Sequence, residues 1–366
     1  MRIAILTQPL RYNYGGILQN FALQTVLRRM GHDVVTLDPC RYLAIHWWQY
    51  LLFAARHLVA NLLKGYRTPL CKEYNIDKRK RIMGQHTFPF IDKYIKCREY
   101  RKIEKEVKST DYDAYIVGSD QVWRCEYNPN QTNMFLDFTK DWPVKRITYA
   151  ASFGTNYWEG TPDETEICKS LLKKFDTVTV REDTGVELCK NIFDVEAIQV
   201  LDPTLLLTQE DYVHELQLEL VPRSPGNLLV YILDYDEEKQ KTVEVTAEEK
   251  HLTPFRVNSD YENLKAPVEK RIQPPIEQWV RGFYDAEYVV TDSFHACAFA
   301  IIFNKPFTVC FNRERGSTRF ESLFKLLEIV LMKIGNNIFT CSLPDRDKIQ
   351  GVREAMLQLI NKELES

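Results

Sequence analysis

The sequence predicts an α/β fold: two Rossmann-like domains, each a parallel sheet covered by helices, facing one another across a cleft. Three observations predict it. Short apolar strand signals alternate with helix signals in both halves of the chain. Most of those strands run into small or polar residues, the pattern of strand ends that line a ligand cleft. A chain of 366 residues is long enough for two domains that each bury a core.

RIAILTQ opens the first series as a strand, and the loop PLRYNYGG leads from it into a helix. That helix carries Leu18, Phe21, Ala22, Val26 and Met30 near helical spacing and stops at Gly31. DVVTLD is the second strand. Residues 43–105 then interrupt the series as a Trp-rich helical insertion. AYIVGSD (114–120), RITYAAS (146–152) and TVTVRED (177–183) each read as a strand ending in polar residues, with helices in ETEICKSLLKKF and TGVELCKNIF. LDPTLLL (201–207) marks the crossing, so the domains are expected at 1–200 and 201–366. NLLVYILD starts the second series, followed by the helix PIEQWVRGFYDA, a strand–helix pair at 287–303, the strand PFTVCFN and a helix around FESLFKLLEIV.

Composition excludes several classes. A net charge of -3 argues against general nucleic-acid binding, which needs a basic face. The nine cysteines are scattered and form no C-x-x-C pair, which argues against a disulfide framework or zinc site. Reduced thiols in a cytoplasmic protein fit them better. Met1-Arg2 leads straight into IAIL and a polar loop, an apolar run too short for a signal peptide. One segment complicates a cytoplasmic reading. LAIHWWQYLLFAARHLVANLL (43–63) is apolar nearly all round, yet His46, Gln49, Arg56, His57 and Asn61 break it too often for a spanning helix. The plainer expectation is a buried or interdomain helix. The sharper one is an interfacial helix making peripheral contact with the inner membrane face, where the substrate is carried.

The most informative stretch is EYVVTDSFHACAFAIIF (287–303). A strand hands over to a helix through Thr291-Asp292-Ser293, aiming several N–H groups at one spot and setting His295 in the first turn of the helix. An imidazole there suits proton transfer beside an anion. NYGGILQN (13–20) puts Gly15 and Gly16 between a strand and a helix, where the backbone can approach a ligand. A tight turn capped by Asn13 explains the same residues. GSDQVWR (118–124) offers Asp120 as a base and Trp123 as a stacking platform, or an Asx turn with a core tryptophan. Arg181 at a strand end can grip a phosphate or carboxylate in a fork, or pair with the acids that follow it.

Together these blocks resemble the polysaccharide pyruvyl transferase family. The resemblance rests on NYGGILQNFALQ, YDAYIVGSDQVWR, ITYAASFG, VTVREDTG, LDPTLLL, EYVVTDSFHACAFAIIFNKPF and RGSTRFESL, in that order, and covers most of residues 1–330. It implies a GT-B-like pair of domains. It also implies transfer of pyruvate from phosphoenolpyruvate onto two hydroxyls of a sugar as a cyclic ketal, with no metal or nucleotide, in the making of exopolysaccharide or another cell-surface glycan. The family's donor-binding arginine falls on Arg181 and its histidine on His295. Several members carry an arginine where this chain has Ser293, so a second cation is expected from Arg319, Arg313 or Arg315. The donor site is therefore assigned to Arg181, Ser293 and Arg319, and catalysis to His295 as acid with Asp120 as base. The acceptor, a glycan or lipid-linked oligosaccharide, falls to Asn13, Gly15, Gly16, Ser119 and Ser152. The same cleft would serve a glycosyltransferase using a nucleotide sugar, or a non-catalytic glycan-binding protein.

Overall fold

In the computed structural model, which describes residues 1–43, 47–64, 68–128, 130–261, 263–311 and 317–365, the first apolar run becomes strand β1 (Arg2–Leu6). All of it after Arg2 is buried, as a parallel strand with helices on both faces requires. It is joined by β2 (Asp33–Pro39), β3 (Cys97–Tyr100), β4 (Ala114–Val117) and β5 (Lys145–Thr148) in an all-parallel sheet of order β3-β2-β1-β4-β5. Parallel bridges at Ile147–Thr177 and Ala151–Val180 continue it into the short pair β6 (Thr179–Val180) and β7 (Ile198–Gln199). Helix α1 (Tyr14–Arg29) is buried from Tyr14 to Leu27, because it lies between the first sheet and the second domain.

The second sheet collects β8 (Leu228–Tyr231), β9 (Pro254–Phe255), β10 (Tyr288–Thr291), β11 (Phe307–Cys310), β12 (Leu331–Gly335) and β13 (Ile338–Cys341). Its order is β12-β13-β11-β10-β8-β9. The four strands at the β9 end are parallel, and β13 and β12 close the other side as an antiparallel hairpin. The central β10, buried throughout, runs into the helix Phe294–Ile302, which is also buried throughout. The handover expected at Thr291 to Ser293 is therefore present, and it opens on the space between the sheets.

Three features depart from the sequence reading. The insertion at 43–105 is not purely helical, since its residues 97–100 form edge strand β3. The C-terminal helix (Arg346–Glu365) returns to the first sheet rather than staying with the half of the chain that contains it. Leu359, Ile360 and Leu364 meet Leu23, Ile116 and Ile147 there, and Lys145 Nζ donates to the Glu363 carbonyl at 2.7 Å. Third, helix α2 (Trp47–Lys64), expected to be buried or interdomain, has no buried residue and packs on α3 (Lys72–Met83). No helix among the described residues is long and apolar enough to cross a membrane.

The returning helix should be structural for the first domain. Ile360 is 6% exposed in the main core, so Ile360→Ala should cost about 2–4 kcal/mol. A fall in the urea midpoint at unchanged slope is the expected reading, and an unchanged midpoint would mean that the helix docks only loosely.

Candidate active site

The site is built around a carboxylate in the linker between the domains. Asp202 opens the turn Pro203–Leu206, and its Oδ1 accepts from the Thr204 N–H at 3.0 Å and hydroxyl at 2.7 Å, so the side chain caps that turn. Its Oδ2 accepts from Ser119 Oγ at 2.9 Å and Arg181 Nη1 at 3.0 Å. His295 Nε2 lies 3.7 Å from the same oxygen, an ion-pair separation too long for a hydrogen bond. Asp202 is 1% exposed. Burial alone would push its carboxyl up, but His295, Arg181 and the Thr204 N–H outweigh burial and hold it well below the usual carboxylate range.

His295 is placed by two helices that start at the same point. It sits in the first turn of Phe294–Ile302, whose leading N–H groups have no carbonyl partner inside the helix. Against it comes the start of α1. A Cβ built on Gly15 would fall 2.0 Å from His295 Nδ1, so only glycine leaves room for the imidazole ring against the start of α1. Asn13 caps α1, its Oδ1 accepting from the Gly15 and Gly16 N–H groups at 3.0 and 3.4 Å. The capping role is the one realised, although Asn13 also borders the cleft. Tyr14 fastens the junction by donating its hydroxyl to the Pro274 carbonyl at 2.6 Å.

Two guanidinium groups lie beside this junction. Arg181 is 3% exposed, with its Nε 3.1 Å from Glu182 and its Cζ 4.7 Å from the centre of the Phe294 ring. Among the described residues its Nη2 has no hydrogen-bond partner. Burial opposes the Arg181 charge, but Glu182, Asp202 and Asp120 override it and raise its pKa. Burial and then the neighbouring Arg181 push the Arg319 guanidinium down to about 10, with Glu182 and Asp120 opposing, so it stays charged at neutral pH. A mutual effect of that kind means that two cations share one small region. Glu182, Asp202 and Asp120 stand in the same region, so the two cations are set among carboxylates.

The cleft itself has a volume of about 540 Å³, within the usual size of small-molecule sites. Asn13, Gly15 and Asp120 border it from the first domain, and Ser293, His295 and Arg319 from the second. Asp120 takes φ 79°, a left-handed conformation that aspartate tolerates better than most residues, and stands against Gly16. Other expectations need correction. Ser119 and Ser152 are fully buried, with hydroxyls given to Asp202 and to Glu182, so neither offers its hydroxyl to an acceptor. Gly16 lies behind the wall. Arg181 also stands one layer back, beneath Phe294, with two of its nitrogens already bonded to carboxylates. Trp123 is a core residue packed on Phe135 and Phe153, not a platform. Arg313 and Arg315 lie outside the described residues. The residue that sequence reasoning missed is Asp202. Its signal was a lone carboxylate inside the apolar run VLDPTLLL, where an acid needs a partner.

Two Rossmann-like regions closing on a cleft, with a histidine and cations where their strand ends and helix starts meet, define a GT-B-like architecture. The particular family follows from the sequence: the model of the polysaccharide pyruvyl transferase family matches residues 13–314, and the chain belongs to it. It is a transferase. Curated proteins give no match. Solved structures with a similar fold include Arabidopsis thaliana UGT89C1 complexed with UDP, at 11% identity, 100% and 95% coverage of the two chains, and a TM-score of 0.45. The S. aureus MnaA-UDP co-structure follows at 11%, 98% and 88% coverage, and 0.47. UDP-GlcNAc 2-epimerase from Methanocaldococcus jannaschii stands at 13%, 98% and 93% coverage, and 0.47. At such values the likeness is one of fold alone.

Two outcomes test this junction. Gly15→Ala should separate the helix starts and cut turnover at least tenfold with secondary structure unchanged, since small misplacement at a reacting centre costs about 10²-fold; wild-type turnover would show that His295 simply moves aside. Asp202→Asn addresses the buried charge. The folded carboxyl titrates below its unfolded value of about 3.9, so its stabilisation is complete above that value and lost as pH falls through the folded one. The variant should be weaker near neutrality by about 3–5 kcal/mol, with the gap closing below about pH 4. A gap that ignores pH would point to shape rather than charge.

Proposed function

We propose that this protein transfers pyruvate from phosphoenolpyruvate to a sugar diol, forming a cyclic ketal and releasing phosphate. The observation that carries the reading is His295, set between two helix starts with Asp202 behind it and Arg319 on the same wall. Phosphoenolpyruvate brings a phosphate and a carboxylate, which call for two cationic or N–H-rich subsites. Arg319 and the N–H groups of Phe294, His295 and Ala296 form the first. The second is Arg181 Nη2, the guanidinium nitrogen without a hydrogen-bond partner among the described residues, once the Phe294 ring yields to the donor. The cation that Ser293 does not supply is thus provided by Arg319.

The reaction then balances as follows. C3 of the enol takes a proton, C2 becomes electrophilic, and one sugar hydroxyl adds there with loss of its own proton. The C2–O bond to phosphate breaks, and the second hydroxyl closes the ring at C2, its proton leaving with phosphate. His295 is the acid at C3 or at the departing phosphate, and Asp202 steadies its cationic form. Asp120, on the facing domain, accepts the proton of the first hydroxyl. The sugar lies along Asn13 and Gly15. Beyond it, a hollow of about 330 Å³ continues the cleft past Tyr261 and Gln273 to Tyr235, Arg256 and Asn258, room for a further sugar of a glycan acceptor. This reading needs neither metal nor nucleotide, and it places the work in exopolysaccharide or cell-surface glycan synthesis on the cytoplasmic side.

The test is incubation with phosphoenolpyruvate and a panel of sugar diols, followed by phosphate release and by mass for an added pyruvate ketal. His295→Ala should lose at least ~10² in turnover while still folding. Near-wild-type turnover would remove His295 from the mechanism. Tight binding of a nucleotide sugar with no response to phosphoenolpyruvate would replace the donor.

A further inference from the structure

Helix α2 is amphipathic in the reverse of the usual sense. Its polar residues Tyr50, His57 and Asn61 form one stripe and are turned inward. Tyr50 donates to Asp77 at 2.8 Å, His57 Nε2 lies 2.9 Å from Glu73, and Asn61 bonds both ways with the Thr68 backbone. The opposite arc, roughly 160° wide at 3.6 residues per turn, faces outward and is apolar. Trp47, Leu51, Leu58 and Leu62 run along it, flanked by Trp48 and Leu63, all 47–79% exposed. Single exposed apolar residues are ordinary, but a continuous stripe of this length marks an interaction face.

Charge says which partner fits. α2 carries no acid, Arg56 stands at the edge of its apolar arc, and Lys64 closes the helix. α3 adds exposed Lys78, Arg79 and Arg81, while its acids Glu73 and Asp77 are both bonded to α2. Apolar side chains with tryptophan at one end, bordered by cations, match the acyl boundary and anionic headgroups of a bilayer. A second copy of this chain would set the same cations against each other across a two-fold axis.

The α2–α3 pair also stands at the mouth of the cleft. Tyr12 donates to the Lys80 carbonyl at 3.4 Å, and its ring centre lies 5.8 Å from that of Tyr261, a cleft residue, the two rings tilted to each other. His86 Nδ1 lies 2.7 Å from the carbonyl of Gln273, which also borders the cleft. We propose that α2 and α3 form a peripheral docking surface for an anionic membrane. α2 lies in the headgroup plane, and the cleft is held close to an acceptor glycan carried on a lipid. Only the lipid-linked acceptor rests on the functional reading above; the docking surface does not.

The experiment is sedimentation of the full-length protein with vesicles of phosphatidylcholine alone and of an equal mixture with phosphatidylglycerol. The wild type should bind the mixed vesicles at least ~10-fold better, and less well as salt is raised. Trp47→Ser with Leu51→Ser, and separately Arg79→Glu with Arg81→Glu, should each lose ~10-fold in binding. Both should keep wild-type circular dichroism and turnover of a soluble sugar diol, because these side chains are exposed. Wild-type indifference to both vesicles, or full binding by both variants, overturns the proposal. So does light scattering in which the wild type is a dimer that the Trp47 and Leu51 changes dissociate. Vesicle binding in a protein that never releases phosphate from phosphoenolpyruvate would leave the docking surface standing and remove the functional reading.

Discussion

Asp202 is the constraint on which the rest of the site depends. One buried carboxylate receives Ser119 from the end of β4, Arg181 from the end of β6 and Thr204 from the linker turn, and it faces His295 from the second domain. A charge with so little access to water persists only because cations and N–H groups surround it. The same requirement fixes the geometry. Removing any partner leaves charge uncompensated, so the strand ends, the linker and the histidine helix are held in one arrangement.

From that arrangement the chemistry of the cleft follows. The linker turn lies against both α1 and the Phe294 helix, so the two helices begin side by side. Their positive ends add, and Gly15 removes the side chain that would keep them apart. Arg181, Glu182, Ser152, Ser119 and Asp202 form a bonded layer behind the wall. Arg319, Asp120 and His295 stand in front of it. The back layer sets charge and position; the front layer lines the cleft.

Much of this was legible in the sequence where the signal was local. Strands β1, β2, β4, β5, β6, β8, β10 and β11 and most helices follow from periodicity, while β3, β7, β9, β12 and β13 do not. His295 stands out because a strand-to-helix corner is visible in fifteen or so residues. Gly15 was noticed as a glycine before a helix, though not as the contact surface for a histidine 280 residues away in the chain. Ser119 and Ser152 looked like cleft residues because they end strands. They are buried because the bridges Asp120–Ala151 and Ala151–Val180 carry the sheet on past those ends. In the 43–63 segment, an excess of apolar residues suggested burial. The spacing of Tyr50, His57 and Asn61 was the sign that the polar face would be the packed one.

The sequence by itself determined the α/β alternation, the family and the histidine corner. Each of these is written in contiguous residues, where hydrophobic period, turn chemistry and motif order act over short range. Only the tertiary structure decided that Asp202 joins the domains, that Arg181 is held one layer behind Arg319, and that α2 turns its apolar face to solvent. Those outcomes depend on which distant groups share a buried charge and which faces find partners. Burial and electrostatic pairing are properties of the assembled sheets and are not encoded in any single segment.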